Sequence, residues 1–373
     1  MSLSPANLFN DLIVQILVRL PPDEPECLVR ASLVCKHWYS LITGHTFIRR
    51  YREFHRLPPL LGFLRGEVDE FTSHFVPTTA FRPPESCLLN CHTLDCRHGR
   101  VLLRDTDSVD LLLWNPMTGE KMHLREPKVA DCYFRAAVLC ATAGCDHLGC
   151  REGPFLVAFV GIGTDEVAYA CLYSSVTDKW SDVTKLQLDY SFTILPMAPV
   201  LVGDALHYMC DSGIIFRYDV GSEQCISVFD QLNDYSDENV LMLTEDGGLG
   251  LASIDMLTLC LWSLKTGPDE ARRWEKLSTI NLKMLPNHNP SCLAPSLVGF
   301  VQGVDSGIIF MSTHTCILMI NLKSERVSKV CEMDDDFEDI FPYFSFCTPG
   351  TTLKPTSFYL FKICEYSVNV NDI

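Results

Sequence analysis

The sequence predicts a small all-α domain of three short helices followed by a larger all-β domain, a six-bladed β-propeller. Three observations predict it. Apolar residues recur at a helical period over the first 55 positions, a strand-and-turn pattern recurs five times from about residue 95, and 373 residues exceed what one core usually holds. The expected boundaries are 5–55 for the helical domain and 56–370 for the β domain.

In "LFNDLIVQILVRL" the residues Leu8, Leu12, Ile16 and Leu20 recur every four positions with Phe9, Ile13 and Leu17 beside them, while Asn10, Asp11, Gln15 and Arg19 are polar. This is an amphipathic helix with a wide apolar face, started at Ser4-Pro5 or Asn7 and ended by Pro21-Pro22. The stretch "PECLVRASLVCKHWYSLIT" carries the period on through Leu28, Ala31, Val34, Cys35, Trp38, Leu41 and Ile42, and "TFIRRYREFH" adds a third helix. About 45 residues cannot bury so much apolar surface among themselves, because small domains leave a larger share exposed. A foreign surface is expected to cover the rest.

The order Leu8, Leu12, Ile16, Leu20-Pro21, Leu28, Ala31-Ser32-Leu33-Val34-Cys35-Lys36, Trp38, Leu41-Ile42 resembles the F-box, the adaptor-binding module of Skp–cullin–F-box ubiquitin ligases, over residues 7–50. The resemblance implies docking on a Skp-type adaptor and, through it, on cullin. It assigns the docking to Leu8, Phe9, Leu12, Ile16, Leu20, Pro21, Leu28, Val34, Cys35 and Trp38. Where that family has Leu-Pro at the start of the first helix, this chain has Leu8-Phe9: either docking is weaker or Phe9 fills the same pocket. The bland alternative is a helical cap that only packs on the β domain.

The repeat in the β domain is an apolar strand ending in an aromatic or Ile, a small polar residue, turn residues, then Ser or Thr. Its copies are Trp114-Asn115 with Thr118-Gly119, Tyr173-Ser174 with Thr177-Asp178, Tyr218-Asp219 with Ser222-Glu223, Trp262-Ser263 with Thr266-Gly267, and Ile320-Asn321 with Ser324-Glu325. A small polar side chain can bond the backbone two residues on, and Gly or Asp tolerates the tight reversal, so each copy predicts a hairpin. The anchors stand 59, 45, 44 and 58 residues apart, the spacing of propeller blades with two loop insertions. A further blade comes from the 60–80 region or from "SFYLFKICEYSVNV", with one terminal strand closing the ring; seven blades and a β-sandwich are the alternatives. Stretches such as "LDCRHGRVLL", "EDGGLGLASID", "LVGFVQGVDSGIIF" and "FPYFSFCTPG" resemble the propeller-like C-terminal domain of many plant F-box proteins, over most of residues 60–350.

The net charge of −17 argues against nucleic-acid or anionic-membrane partners. Residues 1–65 are an exception at +3, with eight Lys+Arg against five Asp+Glu, which suits an acidic adaptor. Eighteen cysteines are scattered rather than framed, Asp11 and Arg19 interrupt any leader-like apolar run, and the sequon at Asn289 is cancelled by Pro290. A reduced, soluble protein of the cytoplasm or nucleus is expected.

Chemistry is sparse. Cys87, Cys91, His92, Cys96 and His98 form one Cys/His cluster and Cys140, Cys145, His147 and Cys150 another, but neither holds a Cys-x2-Cys pair and the Cys-x4-Cys spacing is loose for zinc. Buried or loop thiols are expected, with no metal, cofactor or catalytic residue. The acidic run Asp334-Asp335-Asp336 with Glu338 and Asp339 is expected to be a solvated loop. A substrate-recruiting subunit of a ubiquitin ligase, without enzymatic activity of its own and with an unidentified target protein, is therefore the expectation. The alternatives are a scaffold or decoy that binds the adaptor, and a propeller enzyme or carbohydrate-binding module.

Overall fold

The computed structural model describes residues 5–66, 72–108, 110–129, 132–221, 224–230, 239–255, 257–267, 272–282, 295–302, 307–313, 315–332 and 340–349. The acidic run, "SFYLFKICEYSVNV" and the pair Ser222-Glu223 lie outside them. Among the described residues no helix is long and apolar enough to cross a membrane.

Four helices open the chain, not three: α1 (Pro5–Leu17), α2 (Pro25–Leu33), α3 (Lys36–Ile42) and α4 (His45–His55). The extra break falls inside the stretch expected to be one helix. Cys35 leaves helical space (φ −161°, ψ 162°) and caps α3, its sulfur accepting the Trp38 amide at 3.4 Å. Helical periodicity survives this corner, which is why the pattern hides it. The first helix starts on Pro5 and ends at Leu17, before Pro21-Pro22, because its last turn tightens to Arg19→Ile16 and Leu20→Leu17 amide bonds ahead of the proline.

Six antiparallel sheets follow. Blade one joins Leu60–Gly66, Ser73–Pro77 and Cys87–Leu88 to the late strand Ile340–Phe344, which pairs with Leu60–Gly66 and closes the ring. Blades two to six start at Cys91, Cys132, Val200, Val240 and Ser296, and each runs outward in chain order; blade three carries a fifth strand, Thr184–Gln187. Middle strands such as Ala205–Met209 are wholly buried, whereas outer strands such as Lys121–Arg125 and Arg326–Glu332 face solvent.

Four of the five anchors end the third strand of a blade, and their polar residues make the expected turns. The Met117 amide donates to Asn115 Oδ1 (3.0 Å), Val176 to Ser174 Oγ (3.3 Å), Gly221 to Asp219 Oδ1 (2.9 Å) and Ser324 to Asn321 Oδ1 (2.9 Å). Gly119 at φ +75° takes the left-handed position that closes the first of these turns. The fourth copy differs: a bulge at Leu261/Trp262 shifts the register, the strand continues to Thr266, and Ser263 is buried within the sheet.

Neighbouring blades are also stitched by buried polar groups. The fully buried Asp95 in blade two lies 3.2 Å from Arg97 Nε and accepts the Val138 amide of blade three at 2.9 Å. Tyr343 in the closing strand donates from its hydroxyl to Gly99 O of blade two at 3.3 Å.

Candidate functional site

The helices build one small core. Ile13, Leu17, Val18, Leu28, Ile42, Phe47 and Tyr51 pack with Phe346, which follows the closing strand, and with Leu148 from a blade-three loop. Tyr51 Oη donates to Leu20 O (3.0 Å) and His55 Nε2 lies 2.8 Å from Val18 O, so α4 clamps the end of α1. His37 Nε2 lies 2.8 Å from Asn10 Oδ1 and ties α3 to α1. Burial pushes the Tyr51 phenol far up, so it stays a neutral donor.

That core consumes one side of α1 and leaves the other. Leu12 is 53% exposed and Ile16 62%, while at the α2–α3 corner Leu33 is 53%, Val34 65% and Tyr39 44% exposed. Five large apolar side chains thus stay exposed on α1, at the end of α2 and on α3, elements that share one core.

Of the ten residues assigned to docking, Leu12, Ile16, Val34 and Cys35 are exposed, Leu20, Pro21 and Trp38 are half-buried, and Leu28 is fully buried. Leu28 therefore supports the outer face from within the core. Leu8 and Phe9 belong to α1, and their side chains lie outside the described residues. Leu33 and Tyr39 join the exposed face without having been singled out. The signal was weak, since Leu33 adjoins the assigned Val34 in one apolar run and Tyr39 adjoins Trp38, so the period alone does not say which neighbour faces out.

Charge is placed differently from the whole-domain balance. Residues 10–39 hold three Lys+Arg and four Asp+Glu, so the positive excess of the head comes from α4 and just beyond it, at Arg49, Arg50, Arg52, Arg56 and Arg65. The apolar face is close to neutral, as the centre of a protein interface usually is.

The two Cys/His clusters part company. Cys87 lies on the last strand of blade one, Cys91, His92 and Cys96 on the first strand of blade two and His98 in the turn after it, whereas Cys140, Cys145, His147 and Cys150 converge, the one such donor group among the described residues. These are loop and buried thiols, and beyond that expectation they stand together. A loop lets residues of unequal spacing meet, and His147-x2-Cys150 is the two-residue ligand spacing sought among cysteines alone.

Comparison with known proteins matches both parts of the chain. Residues 6–50 match the F-box domain, and residues 92–349 match the F-box protein AT5G49610-like beta-propeller. A curated Arabidopsis thaliana protein carrying the name F-box only protein 15 is 23% identical over 299 residues, covering 74% of this chain and 75% of that one. Among solved structures, Saccharomyces cerevisiae Sqt1 is 12% identical over 66% of this chain and 62% of its own (TM-score 0.36). The extracellular domain of the B. thetaiotaomicron one component system BT4673 is 11% identical over 75% of this chain and 30% of its own (TM-score 0.33). With an F-box match at its head and a propeller match over most of its length, the chain belongs to the AT5G49610-like family of F-box β-propeller proteins.

Proposed function

We propose that the chain is the substrate-recognition subunit of a Skp–cullin–F-box ubiquitin ligase in the cytoplasm or nucleus. Residues 5–55 dock a Skp-type adaptor and through it cullin, and residues 56–370 hold a target protein. The observation that carries this is the uncovered apolar face: Leu12, Ile16, Leu33, Val34 and Tyr39 stand exposed on a domain whose sequence matches the F-box. Fully burying an exposed Leu, Ile or Val side chain is worth about 1.5–3 kcal/mol, and these side chains, already partly covered, keep roughly half of that for a partner. The proposed docking set also takes in Cys35, which is exposed, the half-buried Leu20, Pro21 and Trp38, the buried Leu28, and Leu8 and Phe9 in the first part of α1.

The chain supplies no transfer chemistry in this scheme. It raises the effective concentration of a bound target near the ubiquitin carrier, a gain that comes from tethering alone. Target specificity belongs to blade-connecting loops, which vary without disturbing the ring.

Pull-down of a purified Skp-type adaptor by the full chain tests the docking. Ile16→Glu and Val34→Glu should weaken capture at least about tenfold, or about 1.4 kcal/mol, with circular dichroism and melting unchanged. A folded wild-type chain that captures no adaptor overturns the proposal. Reconstituted ubiquitylation of a client that survives deletion of residues 1–55 in affinity enrichment separates a ligase subunit from a scaffold or decoy.

A further inference from the structure

Residues 141–154 connect the first two strands of blade three, Cys132–Cys140 and Phe155–Gly163. This loop and the strand end before it gather Cys140, Cys145, His147 and Cys150 so that their ligand atoms all lie within 4.8 Å of one another. Cys150 Sγ stands 3.6 Å from His147 Nδ1. A sulfur at ~2.3 Å and an imidazole nitrogen at ~2.0–2.1 Å from a tetrahedral zinc ion would stand about 3.6 Å apart.

Local backbone geometry holds two of the sulfurs in place. The Thr142 amide donates to Cys140 Sγ and the His147 amide to Cys145 Sγ, each at 3.4 Å. The loop passes through left-handed conformations at Gly144 (φ +64°) and at His147 (φ +58°). All three sulfurs are free of disulfides.

We propose that Cys140, Cys145, His147 and Cys150 bind one structural zinc ion and that the ion holds the loop on which the helical domain sits. Three sulfurs and one imidazole, with no carboxylate, select a soft divalent ion over magnesium or calcium. Four protein ligands complete the tetrahedron, which makes the site structural and leaves no position for a reacting water. The same loop meets the helices: Leu148 packs against their core, and a Cβ on Gly149 would stand 2.8 Å from Arg52 Nη1. Below, Arg100 of blade two donates to Cys150 O (3.0 Å) and to Gly153 O, and Arg151 Nη1 donates to Ser345 Oγ (3.4 Å). His98 lays its ring on His147 with centroids 4.3 Å apart.

The test uses the full chain purified under reductant and desalted, with metal content by mass spectrometry and cysteine state by alkylation. One zinc per chain is expected, along with protection of Cys140, Cys145 and Cys150 from alkylation until a chelator is added. Cobalt(II) exchanged into the site should show tetrahedral ligand-field bands and sulfur-to-cobalt charge transfer, and Cys145→Ser should weaken binding and lower the charge-transfer intensity where Cys87→Ser leaves both unchanged. A wild-type chain without stoichiometric zinc, whose three cysteines alkylate freely or pair as a disulfide, overturns the proposal without recourse to any variant. Hydrogen exchange decides the second half: chelation should speed exchange in Phe47–Tyr51, and unchanged protection there overturns the seating role.

Discussion

His207 shows what burial does to a single ionisable side chain in this ring. It lies on the wholly buried strand Ala205–Met209, cross-paired with Val200 and Arg217, and its ring meets Phe229 edge-on at 6.3 Å. Burial first, then the charge of Arg217 and the more distant Arg272, lowers its pKa from 6.5 to about 4; Arg217 is itself paired to Asp219 at 2.9 Å. The unfolded chain therefore takes up a proton near pH 6.5 that the folded chain refuses until about 4. Its contribution to stability is complete above 6.5, declines as pH falls, and levels off near 4, a loss of about 3 kcal/mol at one site. Urea unfolding of His207→Phe between those pH values should show a slope shallower than wild type; an unchanged slope removes the assignment.

At the level of elements, the helical head separates residues that hold it together from residues that it offers. Trp38 is half-buried against the core of Ile13, Leu17, Leu28 and Phe47, with its amide held by the Cys35 sulfur. Trp38→Ala should cost about 2–4 kcal/mol of head stability, below the 3–5 of a fully buried aromatic, and weaken adaptor capture in parallel. Ile16→Glu should weaken capture alone, and melting followed beside pull-down distinguishes the two. Much of this head was legible in its sequence: the α1 stripe with its proline start, the period through Leu28 and Ala31, and the third helical stretch all rest on local signals. The Cys35 corner was not, because one extended residue between two helices leaves the apolar period almost intact. The blade turns behave likewise. Asn115, Ser174, Asp219 and Asn321 act through bonds to their own near neighbours, so spacing alone located them, whereas the Leu261/Trp262 bulge depends on register against Arg272–Asn281 and left no mark in the pattern.

For the whole molecule, closure is the critical event, since the strand Ile340–Phe344 must return across most of the chain to complete blade one. Tyr343 sits at that seam, fully buried between Phe75 and Phe81 at 5.8 and 6.3 Å and hydrogen-bonded to Gly99. Tyr343→Ala should destabilise the ring by about 3–5 kcal/mol, and Tyr343→Phe, which loses only a bond of 3.3 Å, by about 1 kcal/mol. Denaturant titration of the two variants checks both values; equal effects would place the stability in the hydroxyl instead of the ring. The helical head shares this seam through Phe346 and Leu148, so the head's core, ring closure and the blade-three loop meet in one region of the fold.

The sequence by itself determined the kinds of element, the two-part division of chemistry between a helical head and a repetitive β body, and the turns that punctuate four of the blades. These rest on interactions spanning a few residues, which a linear pattern records. Tertiary structure alone decided which apolar residues of the head stay outside, since Phe346 and Leu148 arrive from far along the chain to claim the inner ones. It also decided that one Cys/His cluster converges while the other disperses, because ligand distances are set by how a loop folds back and not by how many residues it contains.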